Sequence, residues 1–412
     1  MLKVKFLKDI RKVAQMPEDE QARLLRVQDK YRFLATDYYL GLINWEDPYD
    51  PIRRIVVPTE DETLSWGRRD PSNEALSTVM PGVQHKYSDT ALFLASEVCG
   101  GQCRFCFRKR LFVDKEKRET ALNLPAALQY VRRHTEISNV LVTGGDALML
   151  STRRLTEIIE GLSAIDHVRA IRLGSKLPAY FPQRIINDRE LLNLLERYNT
   201  GRQRIYVMSH FNHPRELTDV ARASIGALLR TGAVVCNQTP IIQGVNDDVD
   251  VLVELMNELM ACGAVPYYFF QCRPTTGNFP YAVPITRCYF LIEYAKYRVS
   301  GLARRARYVM SHERGKIEVV GVTGKHIYVK YHRARDASRE GKFLVFYRDD
   351  EAFWYDDLLA QHRDKSMIVT SSWQPREADS GGISLSGGRQ TERPQGSGGH
   401  PGIISQNTPS DN

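Results

Sequence analysis

Long apolar runs are absent from this sequence of 412 residues. No stretch approaches the roughly 20 uninterrupted apolar residues that a membrane-spanning helix needs, and the amino terminus lacks the apolar core of a secretion signal. The seven cysteines cannot all pair with one another, which disfavours a disulfide framework. These absences predict a cytoplasmic protein that does not associate with membranes.

A strong excess of either charge is also missing. The 57 Lys and Arg residues exceed the 49 Asp and Glu residues by a net charge of only +8. A surplus of this size permits an anionic ligand but does not indicate nucleic-acid binding, and no RNA-binding motif is recognisable. The ordinary hydrophobic share of 42% excludes wholesale disorder, so we expect a folded protein without a nucleic-acid partner.

The two ends of the chain differ from its middle. Residues 1–90 carry a helical pattern followed by proline-interrupted connections, which predicts an N-terminal helical extension. Residues 317–373 predict a C-terminal β-rich appendage. Residues 374–412 are rich in Gly, Ser and Pro and poor in aromatic residues, which predicts a disordered tail.

The middle segment, residues 91–316, alternates short apolar runs with longer amphipathic stretches. The runs cover residues 91–97, 139–143, 169–174, 204–210, 233–240 and 265–271. Strands that alternate with helices form parallel sheets, and six such units fall short of the eight in a complete barrel. The predicted fold class is therefore α/β, with a partial (β/α)6 TIM-like barrel between the N-terminal extension and the C-terminal appendage.

Three cysteines lie close together after the first predicted strand. Cys99, Cys103 and Cys106 have the spacing C-x3-C-x2-C. Three such thiolates can bind a 4Fe–4S cluster and leave its fourth iron free for a small molecule, while Gly100 and Gly101 let the loop turn tightly. A zinc site that lacks one ligand, or three incidental cysteines, are the alternatives. The absence of a fourth nearby cysteine disfavours a structural four-thiolate zinc site.

This motif resembles that of the radical S-adenosylmethionine (SAM) superfamily. Further segments are similar, in consecutive order, to the lysine 2,3-aminomutase family: VLVTGGDALML, IRLGSKLPAYFPQRI, MSHFNHPREL, NQTPIIQGVNDD and PYYFFQCRPTTG. The resemblance extends over roughly residues 30–335. It implies an isomerase that moves the α-amino group of an amino acid to the β-carbon. The implied cofactors are the 4Fe–4S cluster, SAM and pyridoxal 5′-phosphate (PLP).

The resemblance implies a SAM site at the ends of the predicted strands. The matching positions are Gly144, Gly145, Asp146, Ser175 and His210. Backbone groups and the one acid of the Gly-Gly-Asp sequence would bind the amino group of SAM. His210 and His213 also fit a second description, that of buried histidines with satisfied hydrogen bonds.

The resemblance also implies a lysine that binds PLP covalently. The matching residue is Lys316, and Lys325 is a competing candidate. Lys86 and Tyr87 match residues that hold the PLP phosphate, but Thr90 stands where an arginine is usual. The glycine run before the lysine is shortened to His-Glu-Arg-Gly, so the loop geometry should differ.

For the substrate, Arg108 matches the arginine that pairs with the α-carboxylate, although residues 108–110 could also be a solvated basic run. Arg273 and Ser311 occupy the positions where lysine-specific members have two aspartates around the distal ammonium. A buried arginine would repel that ammonium, so we expect an acidic amino acid such as glutamate. The alternative is that Arg273 turns away and pairs with Glu313.

Two other functions are kept open. One is a PLP-independent radical SAM deaminase, epimerase or mutase acting on a related substrate, and the other is a non-catalytic iron–sulfur or RNA-binding protein. The expected partners are a small-molecule amino acid and an electron donor such as flavodoxin or ferredoxin, and a homo-oligomer is compatible with the sequence. The remaining cysteines are interpreted as packing residues: Cys236, Cys262, Cys272 and Cys288.

Overall fold

The computed structural model describes residues 4–113 and 119–361. The tail expected at residues 374–412 and the last part of the predicted appendage lie outside these residues. The strands are β1 (Phe6–Leu7), β2 (Ala35–Thr36), β3 (Thr78–Met80), β4 (Val83–Tyr87), β5 (Thr90–Ser96), β6 (Asn139–Gly144), β7 (Ala170–Ser175), β8 (Arg204–Ser209), β9 (Val234–Pro240), β10 (Val265–Phe270), β11 (Arg307–His312), β12 (Gly315–Val322), β13 (His326–Ala334) and β14 (Phe343–Tyr347).

The helices connect and flank these strands. They are α1 (Glu18–Lys30), α2 (Asp37–Leu40), α3 (Pro51–Val56), α4 (Lys109–Val113), α5 (Leu124–Arg133), α6 (Thr152–Ser163), α7 (Leu177–Tyr180), α8 (Pro182–Ile186), α9 (Arg189–Tyr198), α10 (Asp219–Arg230), α11 (Val249–Ala261), α12 (Ile285–Tyr297) and α13 (Tyr355–Gln361). Seven of these described helices begin after a polar side chain that accepts a backbone N–H of the first turn, which stabilises the helix start. These caps are Thr36, Asp50, Asn123, Ser151, Asp188, Thr218 and Asp248.

A sheet of twelve strands, β3 to β14 in chain order, organises the described part of the chain. Strands β5 to β11 are mutually parallel. Antiparallel strands extend both edges, with β3 and β4 beside β5 and with β12 to β14 beside β11. A mixed α/β fold with a large parallel sheet is therefore present. The carboxyl ends of its parallel strands meet at one edge, where α/β proteins usually bind ligands.

Successive side chains of a strand point to opposite faces of the sheet, and β6 illustrates how both faces are used. Val140 and Val142 are fully buried in a core with Ile158 and other helix residues. The alternate residues Leu141 and Thr143 instead line a cavity. The apolar positions therefore hold helices on one face, and the polar and mixed positions form a site on the other.

The six strands expected between residues 91 and 271 are present within one residue of their predicted bounds. The ends of the sheet differ more. Residues 78–80 and 83–87, within the expected helical extension, form β3 and β4 of the main sheet. Residues 307–312 form a seventh parallel strand, and the boundary expected at residue 316 lies inside β12. These short strands lack a clear apolar alternation and depend on pairing with a neighbouring strand.

Two apolar cores support the sheet. The larger contains β5 to β9 and their helices together with residues of the N-terminal segment, and the smaller joins α12 to β11–β14 and Trp354. Within the described residues, no helix combines the length and apolar character needed to cross a bilayer.

Candidate active site

A cavity of about 370 Å³ lies at the carboxyl ends of the parallel strands and extends into the sheet face. Every residue that the sequence predicted for the site lines it: Cys99, Cys103, Cys106, Gly144, Gly145, Asp146, Ser175, His210, Lys86, Tyr87, Lys316, Arg108, Arg273 and Ser311. The structure therefore brings together positions that are up to 230 residues apart in the sequence.

The three motif cysteines occupy the loop that follows β5. Their thiols are half-buried and form no disulfide. Burial raises the pKa of all three, that of Cys103 to about 12, while the charge of Arg108 opposes the effect at Cys106. Such thiols stay protonated unless a cation compensates their charge, and iron does so by direct coordination. The donor set therefore fits an iron–sulfur cluster with three protein ligands.

Arg104, between two of these cysteines, anchors the loop. Its guanidinium forms a bidentate ion pair with Glu62, with N–O distances of 2.9 and 2.8 Å, and both side chains are 0% exposed. The hydroxyl of Tyr281 donates to the same carboxylate at 2.9 Å, and the Lys109 ammonium lies 3.4 Å from it. Because one buried carboxylate binds both cations and the Tyr281 hydroxyl, this cluster holds the loop in one conformation.

Tyr180 contacts the cysteine loop from the opposite side. Its hydroxyl lies 3.0 Å from Cys103 Sγ. A Cβ added at Gly101 would meet the Tyr180 ring at 3.1 Å, so the loop passes directly against this ring. The hydroxyl is placed to donate a hydrogen bond to a thiolate, which stabilises the charge of a ligated sulfur.

The Gly-Gly-Asp sequence is joined to the cysteine loop through its backbone. The N–H groups of Gly145 and Asp146 donate to the carbonyls of Ser96 and Val98 at 2.6 and 2.8 Å. Gly144 has a φ of +110°, and a Cβ at Gly145 would lie 2.5 Å from the Val98 carbonyl oxygen. Glycine is required at both positions, by conformation at the first and by close approach at the second.

Asp146 is a buried acid at the wall of the cavity. Its carboxylate accepts the backbone N–H groups of Leu148 and Lys176 at 3.0 and 2.7 Å. Burial raises its pKa to about 6, although hydrogen bonds from Ser175 and from the backbone oppose this shift. A cationic amino group in the cavity would stabilise the ionised form of this carboxylate.

Lys176 and His210 lie beside this acid. The Lys176 ammonium pairs with buried Glu216 at 2.6 Å and donates to the His210 carbonyl at 2.8 Å. Burial, with the charge of Lys176, holds the pKa of His210 well below its usual value, so the ring is neutral. The buried Nε2 atom of His210 has no hydrogen-bond partner among the described residues. His213 instead caps a turn by accepting the Arg215 backbone N–H at 3.2 Å.

Arg108 is buried, and so are Lys109 and Arg110, so this basic run is not a solvated surface. The Arg108 guanidinium donates to Glu74 Oε1 and to Thr143 Oγ1, each at 3.0 Å. Its buried Nε atom has no partner among the described residues. Arg110 binds the other Glu74 oxygen at 2.5 Å. Despite its burial, the two arginines keep the pKa of Glu74 below its usual value.

Arg273 points into the same cavity. Its Nη1 group donates to Ser72 Oγ at 2.9 Å, and the guanidinium stacks 3.6 Å from the centre of the Phe107 ring. Ser72 in turn donates to the Ser311 carbonyl at 2.8 Å. Within the described part of the chain, no carboxylate forms an ion pair with Arg273, and Glu313 bonds Asn73 instead. Burial lowers the Arg273 pKa to about 10, which leaves it charged at neutral pH.

Lys316 extends from β12 toward the aromatic wall of the cavity. Its Nζ lies 4.0 Å from the centre of the Tyr268 ring and 5.5 Å from that of Phe270. Burial, followed by the nearby charge of Arg172, lowers its pKa well below the usual value. A lysine whose pKa is lowered loses its proton more readily, which favours its reaction as a nucleophile with a carbonyl group. The competing candidate, Lys325, is exposed in the turn after β12.

Lys86 and Tyr87, at the end of β4, form the adjoining wall. The Lys86 ammonium donates to the His312 carbonyl. Burial, followed by the charge of Arg273, lowers its pKa to about 7. The buried Tyr87 hydroxyl has no partner among the described residues. An anionic group between these side chains would satisfy both.

Several lining residues escaped the sequence analysis, among them Ser72, Glu74, Arg172, Lys176 and Arg333. Each is positioned by contacts with residues distant in the sequence, as Glu74 is by its ion pair with Arg108. Arg172 and Lys176 carried a local signal, because both lie in the segment IRLGSKLPAYFPQRI that contains the predicted Ser175.

No protein-family model matches the chain, but individual proteins do. An Aquifex aeolicus protein, provisionally named L-lysine 2,3-aminomutase, is 49% identical over 365 residues, which are 88% of this chain and 97% of that protein. The L-lysine 2,3-aminomutase of Clostridium subterminale is 32% identical over 73% of this chain and 71% of its own length. The glutamate 2,3-aminomutase of Clostridioides difficile is 31% identical over 71% of this chain and 68% of its own length.

Among solved structures, a radical SAM methyltransferase from Sphaerobacter thermophilus matches at a TM-score of 0.32 and 15% identity, over 55% of this chain and 68% of that one. The sequence relatives are far closer, and they match over more than two thirds of their own length. The chain therefore belongs to the radical SAM 2,3-aminomutase family and is an isomerase.

Proposed function

We propose that the chain is a 2,3-aminomutase for an acidic α-amino acid, with glutamate as the first candidate. The observation that carries this proposal is the Arg273 guanidinium, which faces the cavity and has no carboxylate partner among the described residues. We also propose that the parallel strands form a partial (β/α)6 barrel around this cavity, since residues of β4 to β13 line it together.

The family uses a 4Fe–4S cluster, SAM and PLP. When bound, the cluster and SAM supply a hydrogen-abstracting radical, and PLP holds the amino group that migrates. We assign Cys99, Cys103 and Cys106 to the cluster, a role supported by their shared face of the cavity. The orphaned Nε2 of His210 and the buried Asp146 carboxylate support a SAM site at this end.

The opposite end of the cavity suits PLP. Lys316 provides an amine of lowered pKa, and Lys86 and Tyr87 provide donors for a phosphate. The aromatic wall of Tyr268 and Phe270 beside Lys316 offers a surface for a pyridine ring and excludes water from the amine. These residues would bind and orient the cofactor.

The substrate would lie between the two ends. Arg108 would bind the α-carboxylate through its unsatisfied Nε and neighbouring donors, which fixes the carbon from which hydrogen is taken. Arg273 and the Ser311 strand would bind the distal carboxylate. A lysine substrate would place its ammonium against Arg273, an unfavourable like-charge contact in a partly buried site.

Lysine remains the competing substrate because relatives named for lysine match at 49% and 32% identity. The test is anaerobic reconstitution of the full chain with iron, sulfide, PLP and SAM, followed by incubation with separate α-amino acids. Mass and positional analysis should find β-glutamate from glutamate. Turnover of lysine without turnover of glutamate would contradict the proposed substrate.

The use of PLP has its own test. PLP bound covalently to a lysine absorbs in the near-visible range, so the reconstituted chain should show this band. Lys316→Ala should abolish it, whereas the matched variant Lys325→Ala should keep it. A radical SAM enzyme that turns over substrate with no PLP band would support the PLP-independent alternative instead.

Two further proposals follow from the chemistry. The cluster needs an electron donor, for which flavodoxin or ferredoxin is the expected class, and a homo-oligomer is compatible with the family. We propose a cytoplasmic location because the three cluster thiols must remain reduced.

A further inference from the structure

Residue 90 is a weak point of the proposed PLP site. Thr90 lines the cavity, but its hydroxyl donates to Asp89 Oδ1 at 2.7 Å and accepts from Asn139 at 2.9 Å. The side chain is therefore satisfied within the protein, and it carries no charge for a phosphate. A site built from Lys86 and Tyr87 alone would hold a dianion through one ammonium of low pKa and one phenol.

Strand pairing brings another arginine to this place. Lys316 on β12 pairs with Ser311 on β11 and with Arg333 on β13. Directly paired residues of neighbouring strands share a face of the sheet, and all three line the cavity. Arg333 is therefore the immediate lateral neighbour of the lysine assigned to PLP.

The Arg333 side chain extends toward Thr90, a residue that carries no charge. Its Nη2 group donates to Asp89 Oδ1 at 2.5 Å, next to Thr90 in the chain, and its guanidinium lies 5.0 Å from the Tyr87 ring centre. Its Nε lies 3.2 Å from Glu340. These contacts orient the guanidinium, and its Nη1 group has no acceptor among the described residues.

The surroundings of Lys316 favour an anion. Arg172 and Lys86 line the same end of the cavity as Arg333, and these charges contribute to the low pKa of Lys316. A phosphate dianion here would compensate several positive charges at once.

We propose that Arg333 supplies the guanidinium contact to the PLP phosphate that residue 90 does not provide in this chain. The inference rests on the proposed use of PLP. Under this proposal the C-terminal strands do more than extend the sheet, because β13 contributes a residue that binds the cofactor.

The test compares PLP with pyridoxal, which has the aldehyde but no phosphate. Binding of each to the reconstituted full chain is titrated by the near-visible absorbance in wild type, Arg333→Gln and Arg333→Lys. The ratio of the two affinities isolates the phosphate contact. It should fall about tenfold or more in Arg333→Gln and less in Arg333→Lys. Arg287→Gln, which changes an exposed arginine outside the cavity, should keep the wild-type ratio.

A second test moves the arginine from position 333 to position 90. Adding Thr90→Arg to Arg333→Gln should restore the preference for PLP over pyridoxal. Equal weakening of both ligands in Arg333→Gln, or an unchanged ratio, would overturn the assignment of Arg333. If wild-type protein shows no Lys316-dependent band with either ligand, the proposed use of PLP fails first, so the two failures are distinguishable.

Discussion

At the scale of single residues, the middle of the cavity contains more positive than negative charge. Arg108 and Arg110 share the Glu74 carboxylate. The Arg273 side chain forms a hydrogen bond only with the Ser72 hydroxyl among the described residues. An anionic ligand would therefore be stabilised at Arg273 without first breaking an ion pair, whereas a cationic ligand would be repelled.

Replacement of Arg273 tests this charge. Arg273→Gln should lower kcat/KM for glutamate about 10- to 100-fold, because a charge-assisted hydrogen bond contributes about 1.5–3 kcal/mol. The exposed Arg287, which pairs with Asp247, offers a control, and Arg287→Gln should leave kcat/KM unchanged. Unaltered glutamate turnover in Arg273→Gln would show that this guanidinium does not contact the substrate.

The pKa of Lys86 determines how phosphate binding should depend on pH. Burial lowers its pKa to about 7, so its ammonium loses its proton as pH rises above 7. A bound phosphate favours the protonated form, so binding takes up a proton in this range. The affinity for pyridoxine 5′-phosphate, which cannot react with Lys316, should fall by up to about tenfold per pH unit between pH 7 and 9. Isothermal titration measures this, and Lys86→Gln should bind more weakly with a flatter profile.

The residues that sequence reasoning could find are those inside local motifs. Cys99, Gly145 and Asp146 carry a signal in their spacing, and all three line the cavity. Glu74 and Arg333 carry no such signal, because their positions depend on Arg108 and on strand pairing with Lys316. The charge balance of the site is therefore a property of the folded chain.

At the scale of elements, the loop after β6 and the loop after β5 form one unit. Backbone hydrogen bonds join Gly145 to Ser96 and Asp146 to Val98. The proposed SAM loop and the cysteine loop are therefore held at a fixed separation by the main chain itself.

Gly145→Ala should disturb both loops. The added Cβ would lie 2.5 Å from the Val98 carbonyl oxygen, so one loop must move, at a cost of about 1–3 kcal/mol. We expect a lower free energy of unfolding and fewer iron atoms per chain after reconstitution. Gly201→Ala is the matched control, since a Cβ there meets nothing within 4 Å. Full iron content in Gly145→Ala would show that the loops adapt independently.

The elements themselves could be predicted where apolar runs are long and flanked by polar residues. β6 to β10 meet this condition, and their bounds agree with the expected strands within one residue. β11 does not, because its sequence RYVMSH mixes polar and apolar residues and it is defined by pairing with β10 on one side and β12 on the other. β3 and β4 could not be predicted either, because they are short, mix polar and apolar residues, and lie in a segment dominated by helices.

At the scale of the whole molecule, Glu62 connects three distant parts of the chain. It belongs to the N-terminal segment, whereas Arg104 lies in the cysteine loop and Tyr281 follows β10. The cysteine loop is thus fixed by residues from both sides of it in the sequence, and apolar residues of the N-terminal segment pack into the main core.

Glu62→Gln should unfold more readily and bind less iron. Removing one charge from this fully buried pair leaves Arg104 uncompensated, at a cost of about 3–5 kcal/mol. Chemical denaturation and iron analysis measure the two effects. Glu60→Gln, in the same short turn but exposed, should have little effect. Equal stability of both variants would indicate that solvent reaches the pair.

The order of the strands along the chain also determines when each end of the cavity can form during synthesis. The cysteine loop and the Gly-Gly-Asp loop are translated early, and their joining strands β5 and β6 can pair while the rest of the chain is still on the ribosome. Lys316 and its neighbour on β13 emerge after every parallel strand. The loop after β5 and the loop after β6 can therefore meet in a nascent chain, whereas the end of the cavity at Lys316 is complete only when translation has passed β13. At the proposed PLP site, incorporation of the cofactor would then mark a chain that has been translated through β13.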